Sequence, residues 1–255
     1  MLHNEVDIAS PVAEYVLASR ALEKIKIKTI GSFNKLDYEV IIGRKDRGIT
    51  VVSQLIGKKI GTIRGTAFDF YLGRFLELQG LNIREVTLVN FATPAQMTDA
   101  IVNGDVDAII SVPPYADDAL SKLGSNSVFW KAQSGQMIFI LFIGEDEWIK
   151  EHPATVERFL KAMNQAEKFI IQHPENAKSI AKKKLSLNDD EVSKIWVRNR
   201  FSLSLDQSLI AAMEDEARWM IKNNLTNEKV VPDFGDYIYE DALKSVKPEA
   251  VNIIR

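Results

Sequence analysis

Residues 57–115, GKKIGTIRGTAFDFYLGRFLELQGLNIREVTLVNFATPAQMTDAIVNGDVDAIISVPPY, decide the fold. Their spacing of apolar residues, punctuated by Gly and Pro turns, predicts strands at 59–63, 86–90 and 106–110 and helices at 67–79 and from 94 to about 103. Strands that alternate with helices are typical of α/β proteins, in which right-handed crossovers join parallel strands. Helices that begin at strand ends bring free N–H groups and the positive end of the helix dipole together, which suits capture of a small ligand.

Both helices in this stretch begin with capping residues. Thr66 and Asp69 have the spacing of a capping box, with Asp in place of the usual Glu or Gln. Thr93 and Gln96 form a fuller capping box, with Pro94 at the first helical position. Each helix is therefore predicted to open directly from a turn at the end of a strand.

Composition limits the class of protein. The 255 residues are 46% hydrophobic and 26% charged, so the chain can bury a sizeable core. A formal net charge of −3 argues against a nucleic-acid-binding surface, and no nucleic-acid partner is expected. The absence of cysteine excludes disulfides and thiolate metal ligands. No signal peptide and no bilayer-spanning apolar run are visible.

Motifs of known catalytic sites are absent from the sequence. The three histidines, His3, His152 and His173, are scattered and suggest no Ser-His-Asp set, and no HExxH motif occurs. The glycines within residues 57–65 match neither a dinucleotide-binding motif nor a P-loop. We therefore predict a binding protein that is not an enzyme, with no cofactor and no metal.

A short internal repeat divides the chain into two related parts. Residues 4–11, NEVDIASP, resemble residues 103–113, NGDVDAIISVP. Residues 40–46, VIIGRKD, likewise resemble residues 142–146, FIGED. Two similar units predict two lobes, and a small ligand usually binds in the cleft between such lobes.

The first copy of the repeat is shorter at its start than the second. In the second copy, residues 58–103 supply a strand, a turn and helices before the Val-Asp strand, and the first copy has no counterpart. We therefore expect the chain to lack the first strand and first binding loop of one lobe. Ser10 and Pro11 are predicted as the N-cap and first position of a helix.

The C-terminal part of the sequence has a helical pattern. It begins at residue 153 and continues to about residue 224, with breaks at Pro174 and Ser186.

These motifs resemble the substrate-binding proteins of ABC importers, specifically the nitrate, sulfonate and taurine group that also contains the thiamine-pyrimidine-precursor relatives. The resemblance rests on LIGKKIG at 55–61, Arg64-Gly65-Thr66, NGDVD at 103–107, Pro114-Tyr115, and Glu151-His152-Pro153 at the start of a long helix. Two positions depart from the family pattern. Its Gly-Glu-Val-Asp motif is NEVD here at residues 4–7, and its common acidic residue before Pro-Tyr is Pro113.

The resemblance implies an α/β, two-lobed periplasmic-binding-protein type II fold, each lobe a mainly parallel sheet flanked by helices. Lobe one is expected to comprise residues 1–43 and 143–255, and lobe two residues 44–142. The resemblance also implies a monomeric protein, periplasmic or lipid-anchored outside the cell. Such a protein closes by hinge motion on a small anionic organic solute and presents it to an ABC permease.

Candidate ligand-binding residues lie at the predicted strand ends of both lobes. They are Ser10, Pro11, Arg64, Gly65, Thr66, Ala67, Phe68, Ser111, Pro113, Tyr115 and Gln136. Small residues let a ligand approach backbone N–H groups, and Arg64 offers a cation to a sulfonate or carboxylate. Phe68 and Tyr115 can wall an apolar or aromatic ligand. Ordinary helix capping and core packing explain the same residues, so both interpretations stay open.

Two other functions remain open from the sequence. The first is binding or synthesis of the thiamine pyrimidine precursor. A synthase of that kind is expected to use a histidine-rich, cysteine-containing iron site, which zero cysteines and three scattered histidines disfavour. The second is a ligand-sensing domain of a receptor, which the sequence upstream of Met1 would distinguish.

Overall fold

The computed structural model describes residues 6–254, which form two compact units. Unit 1 contains the described residues up to Leu36 and from Met137 onward, and unit 2 is Asp37–Gln136. The strands are, in chain order, β1 (Ile8–Ala13), β2 (Ile27–Leu36), β3 (Val40–Arg44), β4 (Lys59–Thr62), β5 (Thr87–Asn90), β6 (Ala108–Ser111), β7 (Ser127–Lys131), β8 (Ile138–Glu145) and β9 (Asn199–Ser204). The helices are α1 (Glu14–Leu22), α2 (Ala67–Leu78), α3 (Pro94–Asn103), α4 (Tyr115–Leu123), α5 (Asp146–Glu151), α6 (Pro153–Gln172), α7 (Pro174–Leu185), α8 (Asp189–Arg198), α9 (Gln207–Lys222) and α10 (Asp241–Val246).

Within residues 6–254, no helix combines the length and the apolar character needed to cross a membrane.

Unit 2 is built on a mixed sheet with the order β5-β4-β6-β3-β7. β4 lies between β5 and β6 and runs parallel to both, as strands joined by crossover helices do. β3 pairs antiparallel with β6 and β7. A buried cluster packs α3 and α4 against this sheet, and its members are Ile42, Met97, Ala100, Ile101, Val106, Ile109, Ala116 and Ala119. The strands and helices predicted within residues 57–115 are confirmed to within the usual uncertainty of element boundaries.

Unit 1 contains a sheet with the order β1-β8-β2-β9, whose pairs in the described residues are all antiparallel. β1 and β2 run in the same direction, as a strand-helix-strand unit requires. The returning strand β8 lies between them and opposes both. The prediction of a mainly parallel sheet is therefore wrong for unit 1, and in unit 2 two strand pairs are parallel and two antiparallel. A local strand-helix pattern does not reveal a strand inserted from far along the chain.

The boundaries between the units differ from the predicted ones. The chain passes from unit 1 to unit 2 after Leu36 and returns after Gln136, whereas the sequence prediction placed these points after residues 43 and 142. β3 pairs with strands of unit 2, and β8 pairs with strands of unit 1, so each belongs wholly to one unit. Backbone pairing, which the sequence does not display, sets the boundaries.

The predicted helix start at Ser10 and Pro11 is also wrong. Both residues lie in β1, and α1 begins only at Glu14 after the N-cap Ala13. Ala9 pairs with Ile143 and Val12 with Leu141, so two residues of β1 oppose one of β8 in a bulge. Proline has no N–H to donate to a ladder and is tolerated in strands at such bulges.

Strand β9 interrupts the C-terminal stretch that was predicted to be helical. It pairs antiparallel with β2. Phe201, Leu203 and Leu205 alternate with polar residues in the sequence, which is typical of a strand, and Ser204 is buried along with the two leucines. That alternation was present in the sequence but is short compared with the helical pattern around it.

The internal repeat has a structural counterpart in the register of the two sheets. In unit 1, Ile8 pairs with Gly144, and in unit 2, Ala108 pairs with Gly43. Each glycine lies close to a fully buried isoleucine that follows it in the chain, Ile149 or Ile49. The similarity of sequence is therefore a similarity of strand pairing.

The two glycines provide a matched test of packing. A Cβ at Gly43 would lie 2.7 Å from Cγ2 of Ile49, whereas a Cβ at Gly144 would lie 3.2 Å from Ile149. We expect Gly43→Ala to lower the free energy of unfolding by about 1–3 kcal/mol, because overpacking forces neighbouring side chains to move. Gly144→Ala should cost less in the same urea titration followed by circular dichroism. Equal costs, or a larger one at Gly144, would contradict this packing argument.

Candidate functional site

The carboxyl ends of β4, β5 and β6 lie at one edge of the unit 2 sheet, because these strands are parallel. Val40, at the start of β3, pairs with Ser111 at the end of β6 and with Lys131 at the end of β7. The turns after β4, β5, β6 and β7 therefore start from this edge. In open α/β sheets, ligands bind just beyond the carboxyl ends of the strands, at the point where the strand order reverses. Here β5 and β6, which follow β4 in the chain, lie on opposite sides of it, so the order reverses at this edge.

Most of the predicted ligand-binding residues belong to these turns. Arg64, Gly65 and Thr66 follow β4, Ala67 and Phe68 open α2, Ser111 ends β6 with Pro113 after it, Tyr115 opens α4, and Gln136 follows β7. Ser10 and Pro11 belong instead to unit 1, at the bulge of β1, where both are exposed. Their contribution to ligand binding stays a prediction, as does that of the unit 2 residues.

The turn after β4 is organised by a buried carboxylate, Asp69, which is only 1% exposed. Gly65 N–H donates to Asp69 Oδ2 at 2.9 Å, and Thr62 Oγ1 donates to Asp69 Oδ1 at 3.2 Å. Nε of Arg64 lies 3.1 Å from Asp69 Oδ2. One side chain in the first turn of α2 thus holds the strand end, the turn and its cation together.

The capping interactions of α2 differ from the predicted capping box. Thr66 is the N-cap, as predicted, but its Oγ1 accepts the N–H of Phe68, at 3.3 Å, where a capping box would use that of Asp69. Asp69 accepts the N–H of Gly65 and not that of Thr66. The N–H of Gly65, predicted to face a ligand, is therefore committed to Asp69. Capping-box spacing correctly identified a side chain that binds backward to the turn, but not the N–H that it binds.

Arg64 is held on two sides. Its backbone N–H donates to Oδ1 of Asn90, at the end of β5, at 2.9 Å. Its guanidinium pairs with Asp69, yet its side chain remains 42% exposed. A planar guanidinium fixed through Nε keeps two further nitrogens with which to bind a carboxylate or sulfonate. Asn90 was absent from the predicted set, and its position as a polar residue at the end of a predicted strand was its only signal.

The environment of Asp69 leads to a prediction about pH. Burial raises the pKa of this carboxyl, while the N–H of Gly65, the charge of Arg64 and the hydroxyl of Thr62 oppose the shift. A raised folded-state pKa means that the folded protein binds the proton more tightly than the unfolded chain does. Stability contributed by Asp69 should therefore fall as pH rises from the unfolded value, about 3.9, through the folded pKa.

Asp69→Asn provides the measurement for this prediction. The free energy of unfolding of the wild type minus that of Asp69→Asn should decrease as pH rises through that window. A difference that stays flat or increases would contradict the raised pKa.

The turn after β6 offers both apolar and polar groups. The side chain of Tyr115 is 37% exposed at the start of α4, and its carbonyl oxygen accepts a hydrogen bond from Thr98 Oγ1 at 3.2 Å. Phe68 is half-buried. Ser111 is fully buried, and its Oγ has no hydrogen-bond partner among residues 6–254. A buried hydroxyl without a protein partner is costly unless water or a ligand satisfies it.

Gln133 is a buried residue at this edge that the sequence did not single out. Its Oε1 accepts the N–H groups of Tyr38 at 2.7 Å and Glu39 at 2.9 Å. Its Nε2 donates to the carbonyl oxygen of Gln136 at 2.8 Å. Gln133 therefore joins the segment that enters unit 2 to the segment that leaves it.

Unit 1 has a groove of about 470 Å³ at the end of its sheet where β2 begins and β8 ends. It is lined by Ile25, Lys26, Ile27, Glu145, Asp146, Glu147 and Lys150. Asp146 is paired with Lys150 at 2.7 Å and Lys28 at 3.5 Å, so opposite charges compensate each other. In the part of the chain that the structure describes, no cluster of three or more His, Asp or Glu residues could hold a metal ion.

Solved structures with a similar fold include periplasmic binding proteins and a desulfurization enzyme, DSZB, which superimposes with a TM-score of 0.60 at 17% identity. The alkanesulfonate-binding protein SsuA from Xanthomonas axonopodis pv. citri, solved with MOPS bound, superimposes with a TM-score of 0.77 at 18% identity. The match covers 93% of this chain and 82% of SsuA. The predicted α/β periplasmic-binding-protein fold is thereby confirmed.

The family of the chain follows from its sequence. Residues 1–177 match the profile described as NMT1/THI5 like, and the chain belongs to that family, as predicted. A Bacillus subtilis (strain 168) relative, provisionally named an aliphatic sulfonates-binding protein, is 26% identical over 229 residues, covering 88% of this chain and 68% of the relative. A 4-amino-5-hydroxymethyl-2-methylpyrimidine phosphate synthase of Candida albicans (strain WO-1) is 28% identical over 196 residues, covering 68% of this chain and 54% of the synthase. Except for the Bacillus protein, the chain spans about half the length of the curated relatives it matches.

Proposed function

We propose that this chain is a non-enzymatic, extracytoplasmic solute-binding protein that captures a small anionic organic solute for an ABC importer. The observation that carries the proposal is the edge where the parallel strands of unit 2 end. Four turns start there, with a fixed but partly exposed guanidinium on Arg64, an unsatisfied hydroxyl on Ser111 and an exposed ring on Tyr115. Family membership and the fold support the same function.

A sulfonate of modest size fits the chemistry of this edge. Its oxygens accept charge-assisted hydrogen bonds from a guanidinium, and its carbon part can lie against an aromatic ring. Nitrate and taurine also carry oxygens that accept charge-assisted hydrogen bonds from a guanidinium. We further propose that the protein acts as a monomer outside the cytoplasm and that its membrane partner is an ABC permease.

The experiment is a thermal-shift screen followed by calorimetry. Short alkanesulfonates, taurine, MOPS, nitrate and pyrimidines are tested separately. A ligand present at 100 times its dissociation constant should stabilise the protein by about 2.7 kcal/mol, which raises the melting temperature measurably. A folded protein that responds to none of these solutes would count against the proposal.

Arg64 should contribute to affinity for an anion. We expect Arg64→Ala to weaken binding of an anionic hit about tenfold, or ~1.4 kcal/mol, because a charge-assisted hydrogen bond is lost. The side chain is partly exposed, so stability should fall by less than about 1 kcal/mol. Arg84→Ala, at an exposed arginine after α2, is the matched control and should bind as the wild type does. Equal affinities for all three proteins would remove Arg64 from the site.

The synthase relative supports a second candidate function, binding or synthesis of the thiamine pyrimidine precursor. The same screen separates the two candidates. A response to pyrimidines without a response to sulfonates would favour the second, and turnover of a bound pyrimidine compound would contradict the non-enzymatic assignment.

A further inference from the structure

The guanidinium of Arg64 would be shared between Asp69 and a bound anion. Its Nε lies 3.1 Å from Oδ2 of Asp69, while the side chain of Arg64 is partly exposed. The guanidinium is small and planar, so an anion bound to its other two nitrogens lies close to the Asp69 carboxylate. Two negative charges at so short a separation repel each other, and because Asp69 is buried, little water screens them.

The hydrogen bonds of Asp69 suit either protonation state of its carboxyl group. Oδ2 faces two donors, the N–H of Gly65 and Nε of Arg64, so it has to remain an acceptor. The partner of Oδ1 among residues 6–254 is Oγ1 of Thr62, at 3.2 Å. A hydroxyl group can donate or accept, so a proton on Oδ1 would reverse this one hydrogen bond and leave the other two contacts in place. The turn can therefore take up a proton without rearranging.

The charge that acts on the Asp69 carboxyl is that of Arg64. Other charged side chains lie on α2 and on the strands and 3₁₀ helix around it, at Lys59, Arg74, Glu77, Arg84, Glu85 and Lys131. The pKa of Asp69 is raised by burial and lowered by its interactions with Gly65, Arg64 and Thr62. An anion that shares the charge of Arg64 weakens one of the lowering interactions and adds a negative charge nearby, so the pKa rises further.

We propose that Asp69 takes up a proton from solution when an anionic solute binds at Arg64, so that the site holds its solute more tightly as pH falls. This inference deepens the proposed function and rests on it, since it assigns a second ionisable group to the same anion site. The complex binds the proton more tightly than the free protein does, so protonation and anion binding favour each other. Asp69 is then a positioning residue that acts on the solute through Arg64.

Calorimetry of the full chain with ethanesulfonate, or with nitrate if only nitrate binds, tests this coupling. Both anions stay ionised throughout the pH range used, so the ligand itself exchanges no proton. Titrations between about pH 4.5 and about pH 8, each in two buffers of different ionisation enthalpy, give the dissociation constant and the number of protons taken up. From the higher pH to the lower, the dissociation constant should fall about three- to tenfold, with a maximal uptake of roughly 0.3–0.5 proton per anion.

Asp69→Asn separates this coupling from a purely structural role. Asparagine keeps an acceptor oxygen and can donate to Thr62, so it resembles the protonated carboxyl. The variant should take up no proton at this position and should bind the anion about three- to tenfold more tightly than the wild type at about pH 8. A residue that only held the turn in place would weaken binding when changed.

Asp46→Asn is the matched control, because Asp46 is also paired with an arginine. It lies 2.7 Å from Arg44 after the end of β3, at the opposite edge of the sheet. The guanidinium of Arg44 holds the pKa of Asp46 well below its usual range, so Asp46 stays ionised in these titrations. This variant should bind the anion and take up protons as the wild type does.

Three results would overturn this inference and leave the proposed function intact. The first is anion binding without proton uptake by the wild type. The second is undiminished uptake in Asp69→Asn, which would assign the proton to another group. The third is weaker binding by Asp69→Asn than by the wild type at about pH 8. If no anion of the solute screen binds the folded wild type, the inference and the proposed function fail together.

Discussion

Asp69→Ala should lower the free energy of unfolding by about 2–4 kcal/mol. Two effects oppose each other at this position. Alanine relieves the cost of burying a carboxylate, the same cost that raises the pKa of Asp69. It also leaves the N–H of Gly65 and the hydroxyl of Thr62 without their acceptor. The hydroxyl of Thr62 is buried and costs about 1–3 kcal/mol when unpaired, and loss of the bond that fixes the exposed Gly65 in the turn adds to this.

The loss of the donors should outweigh the relief of burial. Removing one partner of a buried polar network leaves the others uncompensated, which is more costly than replacing the whole network by apolar groups. The ion pair with Arg64 contributes little of this, because that side chain is 42% exposed and screened by solvent. Most of the destabilisation should therefore come from Gly65 and Thr62.

Urea unfolding with two control variants measures this effect. Asp69→Asn keeps the shape and one acceptor and should lose less stability than Asp69→Ala. Asp118→Ala removes a carboxylate from a surface pair with Lys122, in which both side chains are about half exposed, and should change stability by less than about 0.5 kcal/mol. If Asp69→Ala is as mild as Asp118→Ala, the carboxylate does not organise the turn.

The part of the fold that could be predicted from the sequence is the part held by local contacts. In residues 57–115, capping residues and apolar spacing identify α2, α3 and the strands between them, because both signals lie within a few residues of the element they specify. The repeat also indicated two related units. Its register, with Ile8 beside Gly144 and Ala108 beside Gly43, shows that the similarity lies in strand pairing.

The parts that could not be predicted depend on partners far along the chain. The position of β8 between β1 and β2 joins residues from the start of the chain to residues from its middle, and it determines the antiparallel sheet and the unit boundaries. Prediction of the candidate site from the sequence is limited in the same way. Arg64 and Gly65 were identified from their turn, but Asn90 from the next strand was not, because its role exists only once β4 and β5 are paired.

Gln133→Ala should lower the free energy of unfolding by about 2–4 kcal/mol, and Gln136→Ala should change it much less. Gln133 is fully buried; its side chain accepts hydrogen bonds from the N–H groups of Tyr38 and Glu39 and donates one to the carbonyl oxygen of Gln136. Alanine leaves those backbone groups unpaired and opens a cavity where the amide was. The side chain of Gln136 is half-buried, and its Nε2 has no hydrogen-bond partner in the described chain, so it makes a matched control from the same turn.

Gln133→Glu separates the role of the acceptor from that of the donor. Near pH 4 the protonated carboxyl can accept from Tyr38 and Glu39 and donate to Gln136, so the stability of this variant should lie between those of the wild type and Gln133→Ala. The ionised form loses the donor to Gln136 and buries a charge. The stability of Gln133→Glu should decline as pH rises, because a carboxyl buried here has a raised pKa and its ionised form is disfavoured. Hydrogen exchange should also be faster in residues 37–39 of Gln133→Ala than in Gln136→Ala, because only the first variant frees those N–H groups. If the two alanine variants match in both urea unfolding and exchange, then the hydrogen bonds of Gln133 do not hold the two connecting segments of unit 2 together.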